Sequence, residues 1–196
     1  MSELVITIEN SNKLIVSFGG HIPCFGGVRF EFNNFLQEFF PEYNRFFYVD
    51  IHKQCYHSGI NNISNNIDTT VEYLRNKIKD YSEVTFIGHS SGGYAAILFG
   101  SLLNVKTVIA FIPQTILRSK NKDSKYVDIK KYINDTTQYH LYGDVTENVY
   151  MYHHISHCEY IEEFPNVTVH RFDRIIIHQM RSNGKLLEIF KEILNK

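Results

Sequence analysis

The chain has 196 residues, 43% of them hydrophobic, a length and composition that suit one domain, 1–196, with a sizeable buried core. Its 20 basic and 21 acidic side chains are dispersed and leave a formal net charge of −1, so neither nucleic acid nor an anionic membrane surface is expected as a partner. No apolar run approaches the ~18 residues of a membrane span. Cys24, Cys55 and Cys158 are odd in number and scattered, and the N-terminus lacks a signal-peptide pattern; a cytoplasmic protein with reduced thiols is expected.

Short apolar runs rich in β-branched and aromatic residues alternate with stretches of helical period, which predicts an α/β fold with a mostly parallel sheet. Strands are predicted at 4–8, 14–18, 46–49, 84–87, 105–111, 139–142 and 167–172. The connection 9–13 is too short for a helical crossover, so the first two strands are expected to pair as an antiparallel hairpin. Val28, Phe32, Phe35, Leu36 and Phe39 form one helical stripe. Ile67, Val71, Leu74 and Ile78 form a second, with Asp68 as its expected cap. The polar, lysine-rich stretch 115–138 reads as a solvated loop. A last helix over 182–194 is expected to turn Leu186, Leu187, Phe190, Ile193 and Leu194 inward.

Between the fourth strand and the helix that follows lies Gly88-His89-Ser90-Ser91-Gly92, a G-x-S-x-G sequence. In a nucleophile elbow the serine sits in a strained turn that admits only small neighbours two residues away on either side. Ser90 has Gly88 and Gly92 in those places, whereas Ser91 would have His89 and Gly93. Ser90 is therefore the expected nucleophile. The backbone N–H of Ser91, at the helix start, is then the expected oxyanion donor.

A serine hydroxyl needs a base, and in this arrangement the partners follow in the order Ser, acid, His. His178 follows the last strand and is the expected base; His170 lies within that strand and reads as structural. Asp144, at the end of the sixth strand, is the expected acid, with Glu147 and Asp173 as alternatives. The paired glycines in Ser17-Phe18-Gly19-Gly20-His21 allow close approach to a substrate oxygen, which makes Gly20 N–H the second expected oxyanion donor, with His21 next. Asp50, His52, Tyr56 and His57 follow the third strand and, with His21 and His89, are the candidate substrate contacts. His153 and His157 have an i, i+4 spacing able to hold zinc on a helix, but no glutamate stands between them and no third ligand is evident. They read as surface histidines, and no metal or cofactor is expected.

On these motifs the sequence resembles the α/β-hydrolase superfamily over essentially its whole length. The resemblance implies a three-layer α/β/α sandwich with a mostly parallel sheet of about seven strands, the first antiparallel, and no cap domain. A narrower likeness over 46–114, carried by Gly88-His89-Ser90-Ser91-Gly92-Gly93-Tyr94-Ala95-Ala96, Phe99-Gly100 and Ala110-Phe111-Ile112-Pro113-Gln114, is to small hydrolase-like proteins associated with bacterial surface-polysaccharide synthesis. Asp50 and Tyr56-His57-Ser58-Gly59-Ile60 are also similar to that group, whose members often carry methionine at the position of Ser91. The superfamily commonly places its acid where this chain has Thr146, which keeps Glu147 beside Asp144 as a candidate. The function expected is cleavage of a carboxylic ester, an acyl or acetyl ester of a sugar or lipid, through an acyl-enzyme intermediate. The competing expectation is a hydrolase fold that no longer catalyses and instead binds a glycan or protein partner.

Overall fold

The computed structural model describes residues 1–21, 29–118, 123, 125–149 and 151–195. In chain order these form β1 (Glu3–Ile6), β2 (Lys13–Phe18), α1 (Asn33–Phe39), β3 (Asn44–Tyr48), α2 (Ile67–Ile78), β4 (Glu83–His89), α3 (Ser91–Leu103), β5 (Thr107–Phe111), β6 (Gln138–Asp144), α4 (Ser156–Glu159), β7 (Val167–Phe172), α5 (Ile177–Ser182) and α6 (Lys185–Leu194). The strands make one sheet in the order β1-β3-β2-β4-β5-β6-β7, parallel throughout except for β1.

Side chains alternate across a strand, so each central strand feeds two cores. Leu14, Val16 and Phe18 of β2 and Val84 and Phe86 of β4 face α2 and α3 on one side. Ile15 and Ile87 face Phe35 and Leu36 of α1, Met180 of α5 and Leu186, Ile189 and Phe190 of α6 on the other. The result is the expected three-layer sandwich with a central, mostly parallel sheet.

The predicted hairpin does not form: β1 pairs antiparallel with β3, and β2 lies between β3 and β4. The reason is visible in burial. Leu14, Ile15, Val16 and Phe18 are all 0% exposed, so β2 needs a parallel partner on both edges, while β1 is half-exposed and suits the sheet's edge. Asn44 of β3 holds the connection in place. Its Oδ1 accepts from Ile8 N–H, and its Nδ2 donates to the carbonyls of Ser11 and Lys13.

Three helix expectations also change. Asn66, not Asp68, caps α2: its side chain accepts from Thr69 N–H, while Thr69 bonds back to Asn66 N–H. Asp68 instead accepts from Tyr126 hydroxyl and Lys125 ammonium, tying α2 to the segment after β5. The C-terminal stretch is two helices broken at Gly184, whose φ of 83° suits a residue without a Cβ. Leu187, Ile193 and Leu194 are only partly buried, and the closed stripe of α6 is Leu186, Ile189 and Phe190. Of the first predicted stripe, Phe32, Phe35 and Leu36 are buried, Phe39 is exposed, and Val28 lies outside the described residues, as do Cys24 and most of 119–124. Cys55 and Cys158 are buried.

Because Asn44 satisfies three backbone groups that β1 and its connection leave over, Asn44→Ala is expected to cost about 2–3 kcal/mol, read as a lower urea midpoint with unchanged m-value. A shift below the error of the midpoint would show that the connection does not depend on this side chain.

Candidate active site

Backbone crowding explains the two glycines around Ser90. A Cβ at Gly88 would lie 2.1 Å from Gly92 O, and one at Gly92 would lie 2.0 Å from Phe18 O, both impossible contacts. Helix α3 can therefore start directly on the ends of β2 and β4. The turn between β4 and α3 is made by Ser90 at φ 56°, ψ −121°, a conformation costly for a residue with a side chain. Two hydrogen bonds hold it there: Ser90 N–H to Phe111 O at 2.9 Å, and Tyr94 N–H to Ser90 O at 3.1 Å.

The two serines are placed differently. Ser90 is partly exposed at the sheet's carboxyl edge, and its Oγ is 2.8 Å from His153 Nε2. Ser91 is 0% exposed and its Oγ has no partner among the described residues. As the first residue of α3, Ser91 carries a backbone N–H with no intrahelical acceptor.

The histidine at the hydroxyl is thus His153, whereas the expected base, His178, is exposed on the first turn of α5. His153 and His157 do not share a helix face, because His153 precedes α4 and His157 lies within it. A bridge between Asp144 and His154, with Ile155 N–H donating to Asp144 O at 3.0 Å, holds this segment at the end of β6. The approach is close enough that a Cβ at Gly143 would lie 2.1 Å from Ile155 Cδ1. Burial lowers the His153 pKa from 6.5, opposed by the negative charges of Glu147 and then Asp144, so the ring is neutral at pH 7 and can accept a proton.

The carboxylates divide by their hydrogen bonds. Asp144 is buried and committed to backbone: Oδ1 accepts from Thr146 N–H, Thr146 hydroxyl and Glu147 N–H, and Oδ2 from Ile175 N–H. Burial alone would raise its pKa, but the bonds from Ile175, Thr146 and Glu147 outweigh it and hold the group below its ordinary value. Glu147 is half-buried, accepts from Asn148 N–H, and exerts the larger of the two attractions on His153. Asp173 is exposed beyond β7.

The loop after β2 holds the other expected oxyanion donor. Gly20 N–H is donated to the buried carboxylate of Glu31 at 3.1 Å, so it is engaged in this arrangement. Tyr56, 0% exposed, donates to the carbonyls of Gly19 and Tyr48 and fixes that loop against β3. Asp50 accepts from the backbone N–H groups of His52, Gln54 and Tyr56 and shapes the turn that carries them. Both are braces of the site and lie behind its surface. His57 Nδ1 accepts from Asp123 N–H, so Nε2 carries the proton and donates to Tyr94 hydroxyl, which donates to Tyr126 O. His89 Nδ1 is buried without a partner among the described residues, and its ring centroid is 6.3 Å from that of His153.

A cavity of about 230 Å³ opens at this edge, lined by His21, Gln114, Arg118 and Tyr152. Of these only His21 was expected from the sequence. No local pattern marks the other three, nor His153; the single hint for His153 is that it follows Asp144 and Glu147 in the chain, as the order Ser, acid, His requires. Among the described residues no cluster of His, Cys, Asp and Glu is arranged to hold a metal ion, and no helix is long and apolar enough to cross a membrane.

The protein family described as lipase (class 3) matches residues 27–119, the segment that contains the elbow. No curated protein matches the sequence. Among solved structures, the capsule O-acetyltransferase of Neisseria meningitidis serogroup A superposes with a TM-score of 0.69 at 17% identity, covering 99% of this chain and 91% of that one. An esterase of Pyrococcus furiosus gives 0.64 at 14% identity, covering 97% of this chain and 91% of its own. A Staphylococcus aureus protein of unknown function gives 0.69 at 13%, covering 98% and 92%. The chain has the α/β-hydrolase fold that esterases and an O-acetyltransferase share.

Two further histidines make stability depend on pH. Burial, and then the charge of His153, lowers the His89 pKa to about 3; burial, and then Arg118, lowers that of His157 to about 4. Both titrate near 6.5 when unfolded, so the unfolded chain takes up protons first as pH falls, and the stability present above 6.5 is lost toward 4 and 3. Urea midpoints are expected to fall between pH 7 and 4.5, and His157→Gln to flatten the slope; a midpoint constant over this range would contradict the burial of these rings.

Proposed function

We propose that this protein is a serine esterase that removes a small acyl group, acetyl foremost, from a sugar. Ser90 acts as nucleophile, His153 as its base and Ser91 N–H as an oxyanion donor. The observation that carries the reading is the 2.8 Å hydrogen bond between Ser90 Oγ, on a strained turn, and a neutral, half-buried imidazole. A fold retaining no chemistry would have no need to keep a serine at φ 56°.

In the proposed reaction Ser90 Oγ attacks the ester carbonyl while His153 Nε2 takes its proton. The carbonyl oxygen becomes an oxyanion facing Ser91 N–H at the positive end of α3. Collapse expels the sugar alkoxide, which receives the proton from His153, and leaves an acyl-Ser90 ester. Water, deprotonated by His153, then attacks that ester and releases the carboxylic acid and free Ser90. Glu147 is the carboxylate that steadies the imidazolium, because the oxygens of Asp144 already accept four hydrogen bonds. Asp144 is a positioning residue that joins the Glu147 loop to the connection between β7 and α5.

The sugar ester as substrate is supported by the likeness to a capsule O-acetyltransferase. That likeness also favours a second reading, in which a sugar hydroxyl replaces water in the second half and the acyl donor is a thioester; a mutant form of the same transferase is in complex with CoA.

A fluorophosphonate probe is expected to label the protein, to fail on Ser90→Ala and to persist on Ser91→Ala, whose lost hydroxyl is buried and has no partner among the described residues. Labelling that survives Ser90→Ala would sink the assignment. His153→Ala is expected to lower kcat on nitrophenyl acetate by about 10²–10⁴, and His178→Ala to leave it within about threefold; the reverse pattern would transfer the base to His178. Since the pKa of His153 is lowered, the acid limb of the kcat/KM profile is expected below pH 6.5. Release of CoA from acetyl-CoA that needs a sugar acceptor would select the transferase reading over the esterase.

A further inference from the structure

We infer that the cavity beside Ser90 is a subsite for an anionic group of the substrate, a carboxylate or a phosphate, received by Arg118; this rests on the ester-acting reading above. The cavity is lined by residues next in the chain to segments that pack on the elbow or bond Ser90. His21 comes two residues after Gly19, whose backbone, with that of Phe18, is what Gly92 packs on. Gln114 follows Pro113, which packs against the first turn of α3 at Gly93. Tyr152 precedes His153, whose ring bonds Ser90. The lining thus comes from the connections after β2, β5 and β6, two of them the neighbours of β4, in the crevice where parallel α/β sheets take ligands.

Its chemistry suits an anion. Among the described lining residues Arg118 is the one permanent charge, and none is a carboxylate. Arg171 is paired with Glu162 and Glu159, and Arg181 with Glu38, whereas the exposed guanidinium of Arg118 makes no hydrogen bond or ion pair with a described residue. No described residue occupies its donors, which form the planar fork that matches carboxylate or phosphate oxygens. Gln114 and Tyr152 add neutral donors around it. Sites for drug-sized ligands run to about 300–1,000 Å³. A polar cavity of about 230 Å³ is of a size that suits a single sugar ring or charged substituent.

The test uses three matched acetate esters: of a neutral methyl glucoside, of glucuronic acid and of a glucose phosphate. Wild type is expected to favour at least one charged ester over the neutral one in kcat/KM by about tenfold or more, the worth of one charge-assisted hydrogen bond. The arm that gains identifies carboxylate or phosphate as the group. Arg118→Gln is expected to bring that ratio close to one, and Arg118→Glu to invert it. No preference in wild type, or a preference that survives Arg118→Gln, would overturn the inference. If no ester is turned over, the esterase reading fails and calorimetry on Ser90→Ala decides the subsite separately. Glucuronate or inorganic phosphate binding that Arg118→Gln abolishes supports it; absence of binding, or binding indifferent to Arg118, overturns it.

Discussion

The contact on which the rest of the site depends is between backbone and backbone. Gly92, in the first turn of α3, stands where any side chain would run into the carbonyl of Phe18 at the end of β2, and Gly88 stands where any side chain would run into Gly92 itself. With both side chains absent, the helix begins almost on top of two adjacent strand ends. The chain must then reverse within one residue, and that residue is Ser90. The strain at Ser90 is offset by the packing of α3, whose residues from Ser91 to Ser101 are all buried. The hydroxyl is presented at the sheet's edge because the helix behind it is buried against the strand ends.

Around this point the loops are held by polar side chains that function as neutral or already satisfied connectors. His57 joins Asp123, Tyr94 and Tyr126 in one chain of hydrogen bonds, so α3 is tied to the segment after β5. His157 accepts from Thr115 N–H and binds that segment to α4. Asp144 connects the loop after β6 to the strand exit before α5. Burial keeps His157 unprotonated, so it can accept a bond from a backbone amide without a buried cation in a dry environment. The same burial lowers the pKa of His153, whose ring bonds Ser90 Oγ. The carboxylates of this network accept from backbone amides, whereas Arg118 at the cavity bonds no described residue.

The sequence by itself determined the layers and the elbow. Strand and helix periods are local, and they place Leu14, Val16, Phe86, Leu74 and Phe190 in the core without knowledge of the partner. The spacing of Gly88, Ser90 and Gly92 is equally local, and steric exclusion at those two glycines is the physical content of the motif. Where β1 pairs was a tertiary decision, because β2 is fully buried and takes parallel neighbours on both edges, which no short connection announces. The identity of the histidine at Ser90 was tertiary as well. His153 comes within 2.8 Å only through the bridge between Asp144 and His154, and the burial that leaves its ring neutral is a property of the folded edge. Arg118 acquires its meaning in the same way, from a cavity assembled by connections that lie far apart along the chain.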